Sequence, residues 1–157
     1  RFHNVYGPYG TWDGGREKAP AAVCRKVITA KDTGSDEIEI WGDGAQTRSF
    51  MYIDDCVKGI DMITHSDIRE PINLGSSELV SINQLVDYAE EVGGVKLKRK
   101  YKLDAPKGVR GRNSDNTMIQ ARLGWEPNLP LREGIAKTYA WIEQQYADRK
   151  AGKPTVR

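Results

Sequence analysis

The stretch RFHNVYGPYGTWDGGREKAPAAVCRKVITA, residues 1–30, sets the fold class because it joins a strand, a glycine-rich loop and a helix in that order. Residues 1–7 are predicted to be the end of a strand, and residues 7–17 an irregular loop. A helix is predicted over residues 19–30, since proline is favoured in a first helical turn and apolar residues then recur at helical spacing. The apolar residues that share one face of this helix are Ala22, Val23, Val27 and Ala30.

The rest of the chain continues this alternation of strands and helices. Strands are predicted at 37–42, 47–53, 71–76 and 95–103, and helices at 54–65, 81–92, 114–124 and 130–146. The helix at 81–92 is the clearest, because Ser81 and Gln84 form a capping box ahead of an apolar stripe. The order β, α, β, β, α, β, α, β, α, α predicts an α/β or α+β fold without internal repeats. We expect one compact unit over residues 1–147 and a frayed tail at 148–157.

The composition indicates a soluble globular protein. The 157 residues are 38% hydrophobic and 29% charged, and the formal net charge of +2 is too small by itself to indicate a nucleic-acid binder. No apolar run approaches the roughly 20 residues that span a bilayer, and no signal peptide is recognised. Cys24 and Cys56 lie among apolar residues, so we expect two buried, reduced thiols and a cytoplasmic location. His3 and His65 lack closely spaced partners, so no metal site is predicted.

Lys18 lies at the mouth of the first predicted helix and is the first candidate functional residue. Helix N-termini attract anions, because unpaired N–H groups and the helix dipole point there, so Lys18 could add a positive charge for a phosphate. The same position would also suit a group that moves a proton. The alternative to both is a solvated surface lysine.

Arginines in two further segments could bind an anion. Arg48 begins a predicted strand after Gln46 and Thr47, and its planar guanidinium suits phosphate oxygens, although a salt-bridged strand residue is the alternative. Glycines around Arg110 and Arg112 would let the backbone approach a diphosphate closely. The alternative there is a flexible basic loop.

Asn4 is predicted at the end of the first strand, where its amide could face a ligand cleft, unless it only forms a turn. The sequence contains no G-x-G-x-x-G or P-loop motif and no visible Ser/His/Asp nucleophile. Residues 96–112 contain eight lysines and arginines among seventeen residues. They could contact nucleic acid, but lysines that protect an edge strand explain them as well. We therefore expect neither nucleic acid nor membrane as a partner.

Several segments together resemble the extended short-chain dehydrogenases/reductases that act on nucleotide sugars. The broad motifs are the Asn-x-Tyr-Gly-Pro of RFHNVYGP, the Arg-x-Phe-x-x-x-Asp of TRSFMYID and the turn LGWEP. Two narrower stretches, GGREKAPAA and GVRGRNSDN, resemble the GDP-mannose 3,5-epimerase branch of this family. The resemblance runs over about residues 1–146 and is weakest at 31–37.

The resemblance implies an α/β fold that corresponds to the carboxyl-terminal part of such an enzyme: the substrate lobe plus the last strands and helices of a Rossmann-like sheet. It implies that bound NAD oxidises C4 of a GDP-hexose, that an acid/base pair inverts C3 and C5, and that the hydride then returns. Lys18 matches the catalytic lysine of that pair, opposite a cysteine. The positions that match GDP-sugar contacts are Asn4, Glu17, Lys18, Ala19, Lys26, Gln46, Thr47, Arg48 and Arg110.

Within this set, Asn4, Arg48 and Arg110 are expected at the diphosphate, and Lys26 is expected to extend the positive environment. The family's glycine-rich NAD loop, its Tyr-x-x-x-Lys pair and its acid/base cysteine have no match here, so no cofactor-binding residue is assigned. The chain alone is therefore expected to lack redox activity. Other NAD-dependent sugar-nucleotide 4-epimerases or dehydratases, or a non-catalytic binding or assembly module, are the alternatives. A homo-oligomer could cover an exposed sheet edge.

Overall fold

The helices and strands are those of a computed structural model that describes residues 1–105 and 108–156. The helices are α1 (Ala19–Thr33), α2 (Ile53–Thr64), α3 (Ile82–Gly93), α4 (Thr117–Leu123) and α5 (Leu131–Lys150). The strands are β1 (Val5–Tyr6), β2 (Glu37–Trp41), β3 (Thr47–Arg48), β4 (Met51–Tyr52), β5 (Val80–Ser81), β6 (Lys98–Lys102) and β7 (Gly111–Arg112). This alternation confirms the predicted α/β class.

Helix α1 begins where the sequence predicts, directly after Lys18. Lys18 has an extended backbone (φ −74°, ψ 157°), and Pro20 lies in the first turn, where its missing N–H removes no helical hydrogen bond. The helix ends at Thr33 rather than at residue 30, because Gly34 then adopts a left-handed conformation (φ 70°) that stops it. The sequence thus fixes the start of this helix more closely than its end.

Parallel pairing brings the carboxyl-terminal ends of strands β1 and β4 to the same edge of their sheet. Strand β1 runs parallel to β4, with Val5 opposite Met51, and β2 runs parallel to β6. Strand β3 lies between β5 and β7, antiparallel to the first and parallel to the second. Parallel strands need a long crossover, and α1 lies in the connection between β1 and β4. The loops that leave β1 and β4 therefore lie side by side.

The main core lies between three helices and strand β2. Helices α1, α3 and α5 pack against one another, and α1 also packs on β2. The fully buried aliphatic side chains of this core include Val27, Leu85, Val86, Ile135 and Ile142. A smaller cluster contains Met51, Cys56, Ile68, Ile72, Leu74 and Ile119. Among the described residues, helices α3 and α5 together supply seven of the 21 buried residues of the larger core, and α1 supplies six.

Both cysteines are buried free thiols, as the sequence predicts. Burial raises the pKa of Cys24 to about 12 and also raises that of Cys56, so neither thiol ionises readily. Residues 1–105 and 108–156 contain no group of three His, Cys, Asp or Glu side chains that could hold a metal ion. Every helix in these ranges is too short or too polar to cross a bilayer.

The strand predicted at 47–53 is wrong as a single element. Thr47–Arg48 pairs with β5 and β7, whereas Met51–Tyr52 pairs with β1. The chain therefore leaves one sheet at Ser49 and enters another after Phe50. The strand predicted at 71–76 is reduced to one parallel bridge between Leu74 and Phe2.

Carboxylates from distant elements hold the start of α5. Asp55 lies in the first turn of α2 and accepts hydrogen bonds from the N–H groups of Asn128 (2.9 Å) and Leu129 (2.8 Å). Glu78 accepts a hydrogen bond from the N–H of Leu131 at 2.8 Å. The bond from Leu131 satisfies an N–H group that a helix start cannot pair internally, and those from Asn128 and Leu129 hold the segment that leads into the helix.

Helix α5 continues to Lys150, past the boundary expected at residue 147. Ion pairs explain the extension: Arg149 binds Asp13 at 2.6 Å and Lys150 binds Asp32 at 2.7 Å. Beyond the helix, the carbonyl oxygen of Val156 accepts a hydrogen bond from the indole of Trp12 at 2.7 Å. The division of the chain into one unit and a tail remains a prediction.

Candidate functional site

A cleft of about 250 Å³ lies at the carboxyl ends of β1 and β4. Gly7 and Pro8 follow β1 into its wall, Ile53 follows β4, and Lys18 and Ala21 enter from α1. Ligands of open α/β sheets bind at the carboxyl ends of parallel strands, because the loops diverge there. This cleft is therefore the strongest candidate for a ligand site next to Lys18.

Lys18 lies at the rim of this cleft with its side chain exposed. Within the part of the chain that the structure describes, no hydrogen bond or ion pair holds its ammonium group. Ala19 opens α1 beside it and is partly buried. A lysine that is fixed at its Cα by a helix start, yet free at its Nζ, can reach a ligand in the cleft. Its predicted position is confirmed, whereas its role remains a prediction.

Glu17, in contrast, is already engaged by neighbouring groups. Its side chain is only 7% exposed; one carboxylate oxygen accepts from Arg25 at 2.9 Å and the other from the N–H of Gly15 at 2.7 Å. Burial by itself would raise the pKa of Glu17, but hydrogen bonds from its own backbone, Arg25 and Gly15, with the arginine charge, bring the pKa below its usual value. Glu17 is therefore held as a carboxylate.

Glu17→Gln is expected to make the free energy of unfolding depend less on pH in the acid range, below about pH 4.5. The folded-state pKa of Glu17 lies below 4.5, so its contribution is complete above pH 4.5 and is lost as the pH falls through the folded-state pKa. Thermal unfolding of wild type and variant, followed from about pH 7 to pH 3, should show curves that converge in acid. Curves that stay parallel over this range would contradict the assignment.

Asn4 lies at the amino end of β1, which corrects its expected place at the carboxyl end of the strand. Its side-chain amide donates to the carbonyl oxygen of Ser49 at 3.1 Å, and its own carbonyl accepts from the N–H of Met51 at 2.8 Å. Asn4 thereby bridges β1 to the segment where the chain changes sheets. Its amide is bound to Ser49, just after β3, and Asn4 does not line the Lys18 cleft.

Arg48 and the loop arginines meet across strands β3 and β7. Arg48 stands opposite Arg112 in the parallel register, and the N–H of Thr47 donates to the carbonyl oxygen of Arg110 at 2.9 Å. One Arg48 nitrogen also donates to the carbonyl oxygen of Thr47 at 2.6 Å. Gln46 precedes them, its amide bound to the carbonyl oxygen of Trp41 at 2.8 Å. The predicted sites at 46–48 and 110–112 thus form one basic edge.

The loop with Arg110 and Arg112 is anchored at its far end. The side-chain amide of Asn116 donates to the carbonyl oxygen of Gly75 at 2.9 Å and to Glu126 at 2.6 Å. Arg110 and Arg112 are exposed and form no ion pair with described residues. Pro106 and Lys107, which belong to the predicted loop, lie outside the described residues. Two guanidinium groups are therefore presented to solvent from an anchored backbone.

Lys26 lies apart from both groups. Its ammonium donates to the carbonyl oxygen of Glu39 on β2 at 2.8 Å, and burial lowers its pKa. Eight residues separate it from Lys18, which is about 12 Å along a helix. The structure therefore places the predicted residues in three groups: Lys18 with Glu17 and Ala19, the basic edge next to Asn4, and Lys26 against β2.

Residues 1–105 and 108–156 do not fit a dinucleotide pyrophosphate. The sequence has no G-x-G-x-x-G turn, whose glycines let a backbone approach phosphates. Helix α2 follows the parallel strand β4 directly, but its first turn carries Asp54 and Asp55, whose negative charges oppose a phosphate. No redox step is therefore assigned to a residue of this chain.

Comparison with known sequences gives a consistent set of relatives. Residues 1–75 match the NAD dependent epimerase/dehydratase family. The chain is 53% identical over 151 residues to GDP-mannose 3,5-epimerase of Arabidopsis thaliana, covering 96% of this chain and 39% of the relative. It is 30% identical to the probable GDP-L-fucose synthase 1 of Oryza sativa subsp. japonica, covering 94% and 45%. The chain thus spans less than half the length of these relatives.

Solved structures agree with the fold. UDP-glucose 4-epimerase of Thermotoga maritima, crystallised with UDP-glucose, superposes with a TM-score of 0.82 at 29% identity, covering 93% of this chain and 45% of that one. UDP-glucuronic acid 4-epimerase of Bacillus cereus, in complex with NAD, gives 0.77 at 27% identity, covering 94% and 43%. A GDP-L-fucose synthetase of Naegleria fowleri gives 0.83 at 20% identity, covering 93% and 45%, a likeness of fold alone. The predicted α/β class and its partial Rossmann-like sheet are confirmed.

Proposed function

We propose that this chain, whose residues 1–75 match the NAD dependent epimerase/dehydratase family, is the GDP-sugar-binding, carboxyl-terminal portion of a GDP-mannose 3,5-epimerase. The observation that carries the proposal is Lys18, exposed and unpaired among the described residues at the rim of the cleft between β1 and β4. In this proposal the complete enzyme is an NAD-dependent isomerase. Its nicotinamide chemistry is supplied by residues other than those described here.

Lys18 is the proton-transfer group of the proposal. Its backbone is fixed at the start of α1, and its ammonium group is free to approach a sugar ring in the cleft. A group that inverts a sugar carbon has to remove a proton from one face or return it to the other. Lys18 supplies one member of such a pair. Cys24 and Cys56 are both buried, so neither is proposed as the second member.

The basic edge of Arg48, Arg110 and Arg112 is proposed to bind the diphosphate. A planar guanidinium group can donate two hydrogen bonds to the oxygens of one phosphate. Arg110 and Arg112 form no ion pair with a carboxylate of the described residues. Asn4, Gln46 and Thr47 fix the strands that carry these arginines. Lys26 is proposed to act only through its charge, because its hydrogen bond to Glu39 turns it toward β2.

Calorimetric titration of the 157-residue chain tests the proposal. GDP-mannose and GDP should bind, UDP-glucose should bind more weakly, and NAD should not bind. Arg110→Ala should weaken GDP-mannose and GDP alike by about tenfold, because a charge-assisted contact to phosphate is lost. Lys18→Ala should weaken GDP-mannose by about tenfold and leave GDP unchanged, because the lysine faces the sugar.

Arg122→Ala provides the matched control, since Arg122 pairs with Glu70 and Asp67 on the surface and should leave binding unchanged. Absence of GDP-mannose binding by the folded wild type would overturn the proposal. Preference for UDP-glucose would favour a related 4-epimerase or dehydratase, a reading that the likeness to UDP-glucose 4-epimerase supports. GDP-mannose binding that Lys18→Ala leaves intact would favour a non-catalytic GDP-sugar-binding module.

We further propose a cytoplasmic location and a homo-oligomer that covers an exposed sheet edge. The buried free thiols support the first, because reduced cysteines are usual in the cytosol. The two-strand sheets β1–β4 and β2–β6 support the second, because short sheets leave backbone groups open for pairing. A strictly monomeric species in light scattering would contradict the oligomer, and fractionation of cells would test the location.

A further inference from the structure

One arginine of α1 holds the segment that leads to Lys18. The Nε of Arg25 donates to the carbonyl oxygen of Trp12 at 3.2 Å and lies 3.3 Å from a carboxylate oxygen of Asp13. Its Nη2 donates to Glu17 at 2.9 Å. A single guanidinium therefore joins both ends of residues 12–17 to the helix.

The geometry leaves Glu17 little capacity for a ligand. Arg25 and the N–H of Gly15 each take one carboxylate oxygen, and the side chain is 7% exposed. Gly14 and Gly15 both have positive φ (95° and 87°), which lets the backbone fold back onto this carboxylate. The family resemblance predicts that Glu17 contacts the sugar nucleotide. In the structure, however, both of its carboxylate oxygens accept hydrogen bonds from within the protein.

The amino end of the same segment is fixed just as firmly. Trp12 is 1% exposed, and the guanidinium of Arg149 lies 4.0 Å from the centre of its ring. Asp13 joins Arg25 to Arg149, with which it forms an ion pair at 2.6 Å. Arg25 therefore acts between two fixed points, Trp12–Asp13 and Glu17, and the side chain of Lys18 that follows them is not held by a described residue.

We propose that Arg25 is a positioning residue for Lys18, and that Glu17 acts through Arg25 rather than by touching the sugar nucleotide. The inference rests on the proposed function of Lys18. Because Lys18 follows Glu17 directly, the Arg25–Glu17 pair fixes the Cα of Lys18 at the cleft rim. The backbone of Lys18 is then already ordered in the folded protein, so ligand binding does not carry the entropic cost of ordering it.

A double-mutant cycle on ligand affinity tests the proposal. Glu17→Gln and Arg25→Ala should each weaken GDP-mannose by about tenfold while GDP is unaffected, and the double variant should be no weaker than either single variant. Losses that multiply to about a hundredfold would overturn the proposal, because independent effects add in free energy. Loss of GDP affinity would also overturn it, since a general structural defect would affect both ligands.

Amide hydrogen exchange decides the pairing without any ligand. Glu17→Gln and Arg25→Ala should each speed exchange at the Gly15 N–H by about tenfold, with no further gain in the double variant. Glu143→Gln is the matched control, since it removes a pair with Lys31 at the other end of α1 and should change nothing here. Unchanged Gly15 exchange in Arg25→Ala overturns the positioning role even where GDP-mannose binds. If the wild type binds no GDP-mannose but Gly15 responds as expected, the proposed function fails and the pairing stands.

Discussion

Trp12→Ala is expected to lower the free energy of unfolding by about 4 kcal/mol, as truncation of a buried aromatic residue to alanine generally does. Trp12 is 1% exposed in the main core, so its loss leaves a large cavity. The variant also loses the hydrogen bond to Val156 and the face on which Arg149 lies. Urea unfolding followed by far-ultraviolet circular dichroism would measure the change.

Trp12→Phe separates the packing contribution from the polar one. Phenylalanine keeps most of the apolar volume but cannot donate to the Val156 carbonyl, so the expected loss is only about 1 kcal/mol. Equal losses for the two variants would show that the hydrogen bond, not the packing, holds the loop. A loss below about 1 kcal/mol for Trp12→Ala would contradict the burial itself.

Gly134→Ala is expected to destabilise the protein by about 2 kcal/mol, against the usual trend. Alanine in place of glycine within a helix normally gains about 1 kcal/mol. Here an added methyl group would overlap the hydroxyl oxygen of Tyr6 and lie 2.8 Å from its Cζ and 3.0 Å from Cδ2 of Tyr52. Overpacking of a rigid core costs up to about 3 kcal/mol, which exceeds the gain in helix propensity. Thermal and urea unfolding would measure the net effect.

Tyr6→Phe is the matched partner for this variant. Its hydroxyl donates a long hydrogen bond to the carbonyl oxygen of Leu131 (3.4 Å), so its removal alone should cost less than about 1 kcal/mol. In the double variant, part of the Gly134→Ala loss should be recovered, because the nearest overlapping atom is gone. Strictly additive losses would show that the tyrosine hydroxyl is not what excludes a methyl group at 134.

Local signals in the sequence predicted much of the fold. The capping box of Ser81 and Gln84 is present with both of its hydrogen bonds, at 3.1 Å and 2.8 Å, and α3 begins where it should. Gly124, the last residue of the helix predicted at 114–124, follows α4 in the left-handed conformation that ends it. These features depend on residues within one helical turn of each other, so the sequence specifies them by itself.

Long-range pairing was harder to predict. Nothing within residues 47–53 indicates that Thr47 pairs with β7 while Met51 pairs with β1, because both partners lie far away in the chain. The role of Arg25 was missed for the same reason, although a tryptophan inside a glycine-rich loop could have indicated a buried anchor. The resemblance to a known family indicated Lys18, but only geometry separates it from Glu17, whose carboxylate is already occupied.

The carboxylates that hold the start of α5 also constrain the order in which this chain folds. Asp55 is separated from its partners by 73 and 74 residues, and Glu78 from Leu131 by 53. Closing loops of that length costs conformational entropy, and the chain loses this entropy before the new hydrogen bonds stabilise the contact. Helix α5 can therefore form early through its own local hydrogen bonds. It can dock against the rest of the protein only after α2, which carries Asp55, and the segment before β5, which carries Glu78, have formed.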